Sequence, residues 1–218
     1  MSWDTVLFDL DGTLTDPKPG ITGAFAYAMR HYGMEADPDS LTGVIGPPLK
    51  DSFMEICGFD EARALEAIWV YREYFSEKGW AENAVYPGIP ELLSALKKAG
   101  MTLAVATSKP EHFSVRILDH FGLSGYFDLI CGAPMDESDA GKKENVIKKA
   151  LETLEIPELS RAVMVGDRRH DIYGAKVNGL ASIGVLFGYG SREELTDAGA
   201  DYLAESVDEL GKLLIYGG

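Results

Sequence analysis

The stretch Thr5-Val-Leu-Phe-Asp-Leu-Asp-Gly-Thr-Leu-Thr-Asp16 decides which fold the chain is expected to adopt. It opens with an apolar run typical of a buried strand, and two carboxylates, Asp9 and Asp11, follow at a spacing of two. Because an unpaired charge is costly to bury, we expect both aspartates at the exit of the strand, facing a cleft. Open α/β sheets bind their ligands at that position. The stretch therefore predicts a functional site directly after the first strand.

The same stretch resembles the first signature of the haloacid dehalogenase-like phosphohydrolases, which is Asp-x-Asp-x-Thr after a hydrophobic strand. The resemblance implies that Asp9 is a nucleophile that forms an aspartyl-phosphate, a role known for carboxylates. It also implies that Asp11 protonates the leaving oxygen and then activates the hydrolytic water. Gly12 is expected to line the substrate site. The alternative is a strand end that carries two solvated turn aspartates.

Composition limits the classes of protein to which the chain can belong. Its 218 residues, 46% of them hydrophobic, suffice for one large domain or for a domain with an insert. A net charge of −15 disfavours nucleic acid and anionic membranes as partners. Cys57 and Cys131 are interpreted as reduced core thiols of a cytoplasmic protein. We expect neither a signal peptide nor a membrane helix, which needs about 20 apolar residues.

Two parts of the chain differ in their sequence pattern. Residues 17–85 carry aromatic, alanine, methionine and glutamate residues at helical spacing. After Pro87-Gly88, helices alternate with strands, which predicts parallel pairing in a doubly wound α/β sheet. A helical insert after the first strand is the C1-cap arrangement of the family that the first stretch resembles. We therefore predict a catalytic core of residues 1–16 and 86–218 and an all-α cap domain of residues 17–85.

A second candidate motif follows the strand predicted over residues 101–106, where Thr107-Ser-Lys-Pro110 stands. A strand that ends in a hydroxyl residue resembles the second signature of the family. The resemblance implies that Thr107 donates a hydrogen bond to a phosphoryl oxygen and that the turn at Ser108 assists with backbone N–H groups. The alternative is that Thr107 is only the N-cap of the next helix.

A third motif, Gly141-Lys-Lys-Glu-Asn-Val-Ile147, resembles the lysine signature at a helix start. A cation at a helix N-terminus opposes the helix dipole, so a purely structural reason for this lysine is lacking. The resemblance implies that the lysine neutralises phosphoryl charge and holds the nucleophile. Lys143 fits the spacing Lys-x-x-Val-Ile better than Lys142. The proline that commonly follows this lysine in the family is absent, so Lys142 stays the alternative.

The fourth motif, Val163-Met-Val-Gly-Asp-Arg-Arg-His-Asp171, resembles the signature Gly-Asp-x-x-x-Asp after a buried strand. The resemblance implies that Asp167 ligates a metal directly and that Asp171 holds a metal-bound water or a neighbouring side chain. Mg²⁺ prefers oxygen ligands. Asp9, the backbone carbonyl of Asp11, Asp167 and a phosphoryl oxygen would supply them, so Mg²⁺ is the predicted cofactor.

Further residues narrow the expected reaction. Asp11 points to phosphate monoesters, because dehalogenases of the superfamily lack this second aspartate. The segment 46–53 resembles the substrate-facing loop of related caps. Leu49 stands where β-phosphoglucomutases carry an arginine, which disfavours a mutase, and Lys50 beside it is expected to bind an anionic group of the substrate.

The chain as a whole resembles the phosphoglycolate phosphatase group and the similar 5′-nucleotidase-like proteins, and both alternatives stay open. We predict a Mg²⁺-dependent phosphomonoesterase that acts on a small phosphorylated metabolite as a monomer or homodimer. The rival from another class is a non-catalytic binding module of the same family.

Overall fold

The computed structural model describes residues 3–217 and divides into two compact units. The first unit comprises the residues up to Thr15 together with those from Val85 onward, and the second comprises Asp16–Ala84. The chain passes between the units at two short strands that pair with each other. That the second unit acts as a cap stays a prediction.

The secondary structure alternates in the first unit and is helical in the second. The strands are β1 (Thr5–Phe8), β2 (Thr15–Asp16), β3 (Ala84–Val85), β4 (Thr102–Pro110), β5 (Leu129–Ala133), β6 (Ala162–Gly166), β7 (Ala181–Val185) and β8 (Tyr202–Ala204). The helices are α1 (Lys18–His31), α2 (Leu49–Cys57), α3 (Glu61–Tyr74), α4 (Ile89–Lys98), α5 (Glu111–His120), α6 (Lys143–Thr153), α7 (Arg169–Val177), α8 (Arg192–Ala198) and α9 (Val207–Tyr216).

The first unit is built on a six-stranded sheet in the order β5-β4-β1-β6-β7-β8, in which every pairing is parallel. This arrangement confirms the predicted doubly wound α/β fold. The central strand β1 is buried along its whole length, as expected for a parallel strand that is covered on both faces. In register, Phe8 lies beside Val105 of β4 and Val165 of β6. The residues that follow these three strands therefore meet at one edge of the sheet.

Apolar side chains between the sheet and the helices hold that edge in place. Leu7, Ala104 and Met164 from the three central strands pack with Val146 and Ile147 of α6 in one fully buried cluster. Burial of the leucine, methionine, valine and isoleucine side chains in this cluster is worth about 1.5–3 kcal/mol each. Helix α6 is thereby fixed against the sheet, so that its first residue, Lys143, occupies a defined position.

The second unit packs its helices through aromatic side chains. The ring of Phe25 from α1 stacks on that of Phe53 from α2 at a centroid distance of 4.2 Å. Tyr71 of α3 stacks on Phe75 at 5.5 Å, in a π-helical turn that continues α3 to Gly79. Offset or stacked aromatic pairs add about 0.5–1.5 kcal/mol beyond their burial. The aromatic residues of the segment 17–85 thus pack the helices of the second unit against each other.

Polar side chains define where several helices begin. The Asp60 carboxylate accepts a hydrogen bond from the backbone N–H of Arg63, at 2.9 Å, ahead of α3. Ser191 and Ser206 cap α8 and α9 in the same way. Such caps satisfy N–H groups that have no partner within the helix. Within residues 3–217, none of the helices is both long enough and apolar enough to cross a membrane.

Candidate active site

The aspartates predicted from the first and fourth motifs lie at the carboxyl edge of neighbouring strands. Asp9 follows β1, and its backbone N–H donates to the carbonyl of Val165 at 2.9 Å. Asp167 follows β6, the strand beside β1, and Asp171 lies in the first turn of α7. One carboxylate oxygen from each of the three aspartates lies within 4.8 Å of the others. Residues far apart in sequence thus form one buried acidic cluster.

Lys143 joins this cluster from the first position of α6. Its Nζ donates to Asp9 Oδ1 at 2.7 Å and to the carbonyl oxygen of Ala106 at 3.0 Å, and it lies 2.8 Å from Asp171 Oδ1. The lysine side chain is only 5% exposed. Burial alone would lower the pKa of Lys143, but the carboxylates of Asp171 and Asp9 raise it above its ordinary value. Lys143 therefore stays charged.

Lys142 has different surroundings. Its side chain is 52% exposed, and its Nζ lies 2.9 Å from the carboxylate of Asp139. It precedes α6 as the N-cap residue and supplies no side-chain cap. Of the two lysines, Lys143 is the one that contacts Asp9 and Asp171, and its role in catalysis stays a prediction.

The buried carboxylates of the site carry more negative charge than the neighbouring lysines can balance. Burial raises the pKa of Asp167 well above its usual range, and the charges of Asp171 and Asp9 add to this effect. Burial also raises the pKa of Asp171 to about 6, against the opposing effect of Lys143. Carboxylates outnumber the buried lysines here, since Asp9, Asp11, Asp167 and Asp171 stand against Lys109 and Lys143. A divalent cation would neutralise the excess negative charge, and carboxylate oxygens are the ligands that Mg²⁺ prefers.

A loop after β7 supports Asp167, a contact that sequence reasoning missed. The backbone N–H of Tyr189 donates to Asp167 Oδ2 at 2.8 Å. A Cβ atom at Gly190 would overlap the carbonyl oxygen of Asp167, and one at Gly188 would overlap the carbonyl oxygen of Gly12. The spacing Gly-x-Gly after a strand was the available signal for a close backbone approach.

Asp11 forms an ion pair with Lys109 that the sequence analysis did not predict. Lys109 Nζ donates to Asp11 Oδ2 at 2.6 Å, and the two side chains are 6% and 12% exposed. Burial raises the pKa of Asp11, and the charge of Lys109 opposes this rise. The stretch Thr107-Ser-Lys-Pro110 contained this lysine, but nothing in its position indicated an aspartate 98 residues away.

The remaining residues of the second motif lie at the end of β4. Thr107 is 2% exposed, and its Oγ1 accepts a hydrogen bond from the backbone N–H of Lys109 at 3.2 Å. Helix α5 begins later, after Pro110, so Thr107 is not its N-cap. Ser108 is partly buried in the same strand.

Gly12 follows Asp11 with φ +83°, and a Cβ atom there would overlap Asp167 Oδ2. A side chain at this position is therefore excluded both by the backbone and by the carboxylate.

Lys50 lies in the first turn of α2, in the helical unit. Its Nζ donates to Glu61 Oε1 at 3.0 Å, and its side chain is 31% exposed. The predicted role of Lys50 in substrate binding stays a prediction.

Comparison with known proteins identifies the family to which the chain belongs. The sequence profile described as "Haloacid dehalogenase-like hydrolase" matches residues 6–185. The chain belongs to this family. The matched range contains the four motifs, from Asp9 to Asp171, and most of the parallel sheet.

Relatives and solved structures within the family extend the match to nearly the whole chain. A 5′-nucleotidase of Pseudomonas aeruginosa is 47% identical over 196 residues, which cover 89% of this chain and 88% of the relative. A phosphoglycolate phosphatase of Aquifex aeolicus is 36% identical and covers 96% and 95%. A crystal structure of a "predicted phosphatase" from Clostridium acetobutylicum is 51% identical, with a TM-score of 0.94, and covers 97% and 98%. The predicted family, fold class and phosphatase class are thereby confirmed.

Proposed function

We propose that the chain hydrolyses monoesters of phosphate, with Asp9 as the nucleophile and Mg²⁺ as the cofactor, on small phosphorylated metabolites. The observation that carries this proposal is the buried cluster in which Lys143 Nζ lies 2.7 Å from Asp9 Oδ1 and three aspartates converge. A fixed lysine and a fixed carboxylate in one buried place suit attack on a phosphoryl group whose charge must be neutralised.

In the first step, an oxygen of Asp9 attacks phosphorus and the bond from phosphorus to the leaving oxygen breaks. Asp11 donates a proton to that leaving oxygen. Lys143 keeps Asp9 in place and balances the charge of the phosphoryl oxygens. Thr107 and the backbone at Ser108 donate hydrogen bonds to the same oxygens.

In the second step, water attacks the phosphorylated carboxylate of Asp9. Asp11, now deprotonated, accepts a proton from the water, and the bond between phosphorus and Asp9 oxygen breaks. Inorganic phosphate leaves, and Asp9 is restored as a carboxylate. One aspartate thus serves as acid in the first step and as base in the second.

Mg²⁺ fits the donor set of the site. Asp9, the backbone carbonyl of Asp11 and Asp167 would hold it, while Asp171 is already engaged by Lys143 and by the backbone N–H of Arg168 at 3.0 Å. The bound ion supplies positive charge that orients and polarises the phosphoryl group. The Tyr189 N–H and the tight loop around it keep Asp167 in position for this role.

The substrate that we propose first is a small carboxylated phosphate such as phosphoglycolate, since the whole sequence resembles that group and Lys50 offers a cation. A nucleoside monophosphate is the second candidate, which the 47% identity to a 5′-nucleotidase favours. Leu49 argues against a mutase, and the presence of both Asp9 and Asp11 argues against a non-catalytic module. We further expect a cytoplasmic protein that acts as a monomer or homodimer without nucleic acid or membrane partners.

A substrate panel tests this proposal. Phosphate release from phosphoglycolate, nucleoside monophosphates, sugar phosphates and p-nitrophenyl phosphate is measured with Mg²⁺, with EDTA, and with Mg²⁺ restored after EDTA. We expect activity only in the presence of Mg²⁺, and the highest kcat/KM on phosphoglycolate or on a nucleoside monophosphate. Hydrolysis that persists in EDTA would contradict the cofactor, and inactivity on the whole panel would contradict the reaction.

A further inference from the structure

The ion pair between Lys109 and Asp11 links the second motif to the first. Lys109 Nζ donates to Asp11 Oδ2 at 2.6 Å, whereas Asp11 Oδ1 is buried and accepts no hydrogen bond from any residue within 3–217. The carboxylate is therefore held through one oxygen, and its other oxygen is left without a protein donor. A buried polar atom of this kind calls for an explanation, since most are paired.

The pair is placed too deeply to be an ordinary surface salt bridge. The side chains of Lys109 and Asp11 are only 6% and 12% exposed, whereas those of Lys97 and Asp128, a surface pair in the same unit, are 33% and 40% exposed. Two charges that are taken out of water must compensate each other closely, because each alone is costly to bury. Loss of Lys109 would thus leave Asp11 without its buried partner.

The backbone fixes Lys109 itself. Its N–H donates to Thr107 Oγ1 at 3.2 Å, and Pro110 follows it at the end of β4. The pairing of β4 with β5 is irregular between Thr107 and Pro110. Lys109 therefore lies in the irregular part of β4, where its backbone is held by the hydrogen bond to Thr107 Oγ1.

We infer that Lys109 is a positioning residue for Asp11. Lys109 binds Oδ2 of the Asp11 carboxylate, so that Oδ1 is the oxygen that donates and accepts the proton. This inference rests on the proposed function, in which Asp11 is the general acid and base. The contact that carries the inference is the ion pair between Lys109 Nζ and Asp11 Oδ2. Its effect on turnover passes through the orientation of one carboxylate.

A misplaced Asp11 carboxyl should slow the reaction most for substrates whose leaving group must be protonated. An alkoxide leaves poorly unless it is protonated, whereas p-nitrophenolate is stable enough to leave without a proton. The value of kcat/KM reports the steps up to the first irreversible one, which includes departure of the leaving group. A fault in Asp11 orientation should therefore depress kcat/KM for alkyl phosphates far more than for p-nitrophenyl phosphate.

The variant Lys109→Met tests the inference, because methionine keeps an unbranched apolar stem and removes the charge and the donor. We expect kcat/KM on an alkyl phosphate such as β-glycerol phosphate to fall about 10²-fold or more, which is the usual scale of general acid catalysis. On p-nitrophenyl phosphate we expect a fall of about tenfold or less. Lys109→Gln should give the same ordering of the two substrates. Lys97→Ala, which breaks the surface pair with Asp128, is the matched control and should change neither value.

A double-mutant cycle separates orientation from a general loss of structure. In an Asp11→Asn background, Lys109→Met should cause no further loss on the alkyl phosphate, since residues that act as a unit are not additive. Additive losses, or equal losses on both substrates in the single variant, would overturn the inference. Unchanged kcat/KM on both substrates would overturn it as well.

The result also distinguishes this inference from the proposed function. Wild-type protein that hydrolyses none of these phosphates with Mg²⁺ contradicts the function. Wild-type protein that is active, but whose Lys109→Met and Lys109→Gln variants show no dependence on the leaving group, contradicts only the role of Lys109. Thermal unfolding of each variant, compared with wild type, identifies a variant that fails to fold. If Lys109→Met fails to fold, the kinetics of Lys109→Gln test the inference instead.

Discussion

The two units of the molecule bury different kinds of side chain. Among the described residues, the first unit buries four aspartates and Lys143 near one edge of its sheet, whereas the second buries a single charged side chain, Arg72. Elsewhere the second unit buries apolar groups such as Phe25 and Phe53, which stack at 4.2 Å. Buried charges are costly unless each has a partner.

This difference supports the proposal that the reaction takes place in the first unit. A fold that buries several carboxylates together gives up stability that a packed core would keep, and such costs are typical of functional sites. The helical unit buries Arg72 alone among the charged side chains described, and no cluster of carboxylates. We therefore expect substitutions of the buried aspartates and of Lys143 in the first unit to affect turnover on every phosphate, and substitution of Lys50 in the second unit to affect only the choice of substrate.

The largest effect is expected from Asp9→Asn. The amide is a poor nucleophile, so kcat should fall about 10³-fold or more, as happens when other covalent nucleophiles are removed. The fold should persist, since Asn has nearly the same shape and still accepts a hydrogen bond from Lys143. Steady-state kinetics and thermal unfolding measure both. Asp139→Asn is the control, because its exposed carboxylate pairs only with the surface residue Lys142 in the ion pairs described. Asp9→Asn activity above about a thousandth of wild type would contradict the assignment.

The next largest effect is expected at the start of α6, where Lys143→Ala can be compared with substitution of the neighbouring Lys142. Lys143→Ala should lower kcat by about 10²- to 10⁴-fold and should destabilise the metal-free protein by about 3–5 kcal/mol, because Asp9 and Asp171 lose their buried partner. Lys142→Ala should change either quantity little, since its pair with Asp139 is exposed. Kinetics and chemical denaturation measure the two effects. Equal losses in both variants would show that the functional lysine has been misassigned.

The loop after β7 should act through the metal site. Gly190→Ala places a Cβ atom against the carbonyl oxygen of Asp167, so Asp167 must shift. Calorimetric titration should show Mg²⁺ binding about ten- to a hundredfold weaker, the scale found when the support of a metal ligand is altered. Gly125→Ala is the control, because no atom lies within 4 Å of a Cβ built there. Unaltered Mg²⁺ affinity in Gly190→Ala would mean that the loop does not position Asp167.

The smallest effect is expected in the helical unit. Lys50→Ala should raise KM for phosphoglycolate about tenfold, because one partly exposed charge-assisted contact is lost, and should leave p-nitrophenyl phosphate unaffected. Lys18→Ala removes another lysine of that unit, paired with Asp39 at 2.9 Å, and serves as the control. The same KM for phosphoglycolate in both variants would place substrate choice outside the segment around Lys50.

Much of the fold could be predicted from the sequence because local signals and long-range packing agree. The apolar run before Asp9 is β1, and the lysine chosen by its spacing, Lys143, is the first residue of α6. Element ends were predicted less well. The strand expected to stop at residue 106 continues to Pro110, since Pro110 still pairs with Ala133 of β5. That pairing partner is 23 residues away, and no local signal identifies it.

Two supporting contacts of the site were not predicted, although the glycines at 188 and 190 gave a signal for a close backbone approach. Lys109 meets Asp11 only because β4 lies beside β1, and its type and position in the second motif do not reveal this. The donor to Asp167 from residue 189 is a backbone N–H, which every residue except proline carries. Residues that take part in the reaction have distinctive chemistry and can be recognised by motif. Residues that hold them in place become visible only when the chain is folded.

The most direct test of the account is to identify the phosphorylated residue. Asp11→Asn protein is mixed with Mg²⁺ and p-nitrophenyl phosphate, whose leaving group needs no proton from Asp11, and is quenched in acid, and its peptides are examined by mass spectrometry. We expect one phosphoryl group per chain on the peptide that contains Asp9, because hydrolysis of the intermediate needs Asp11 as base. The group should be absent from the Asp9→Asn variant. A phosphoryl group on another residue, or turnover by the wild type through direct attack of water with no phosphorylated protein, would contradict the central claim.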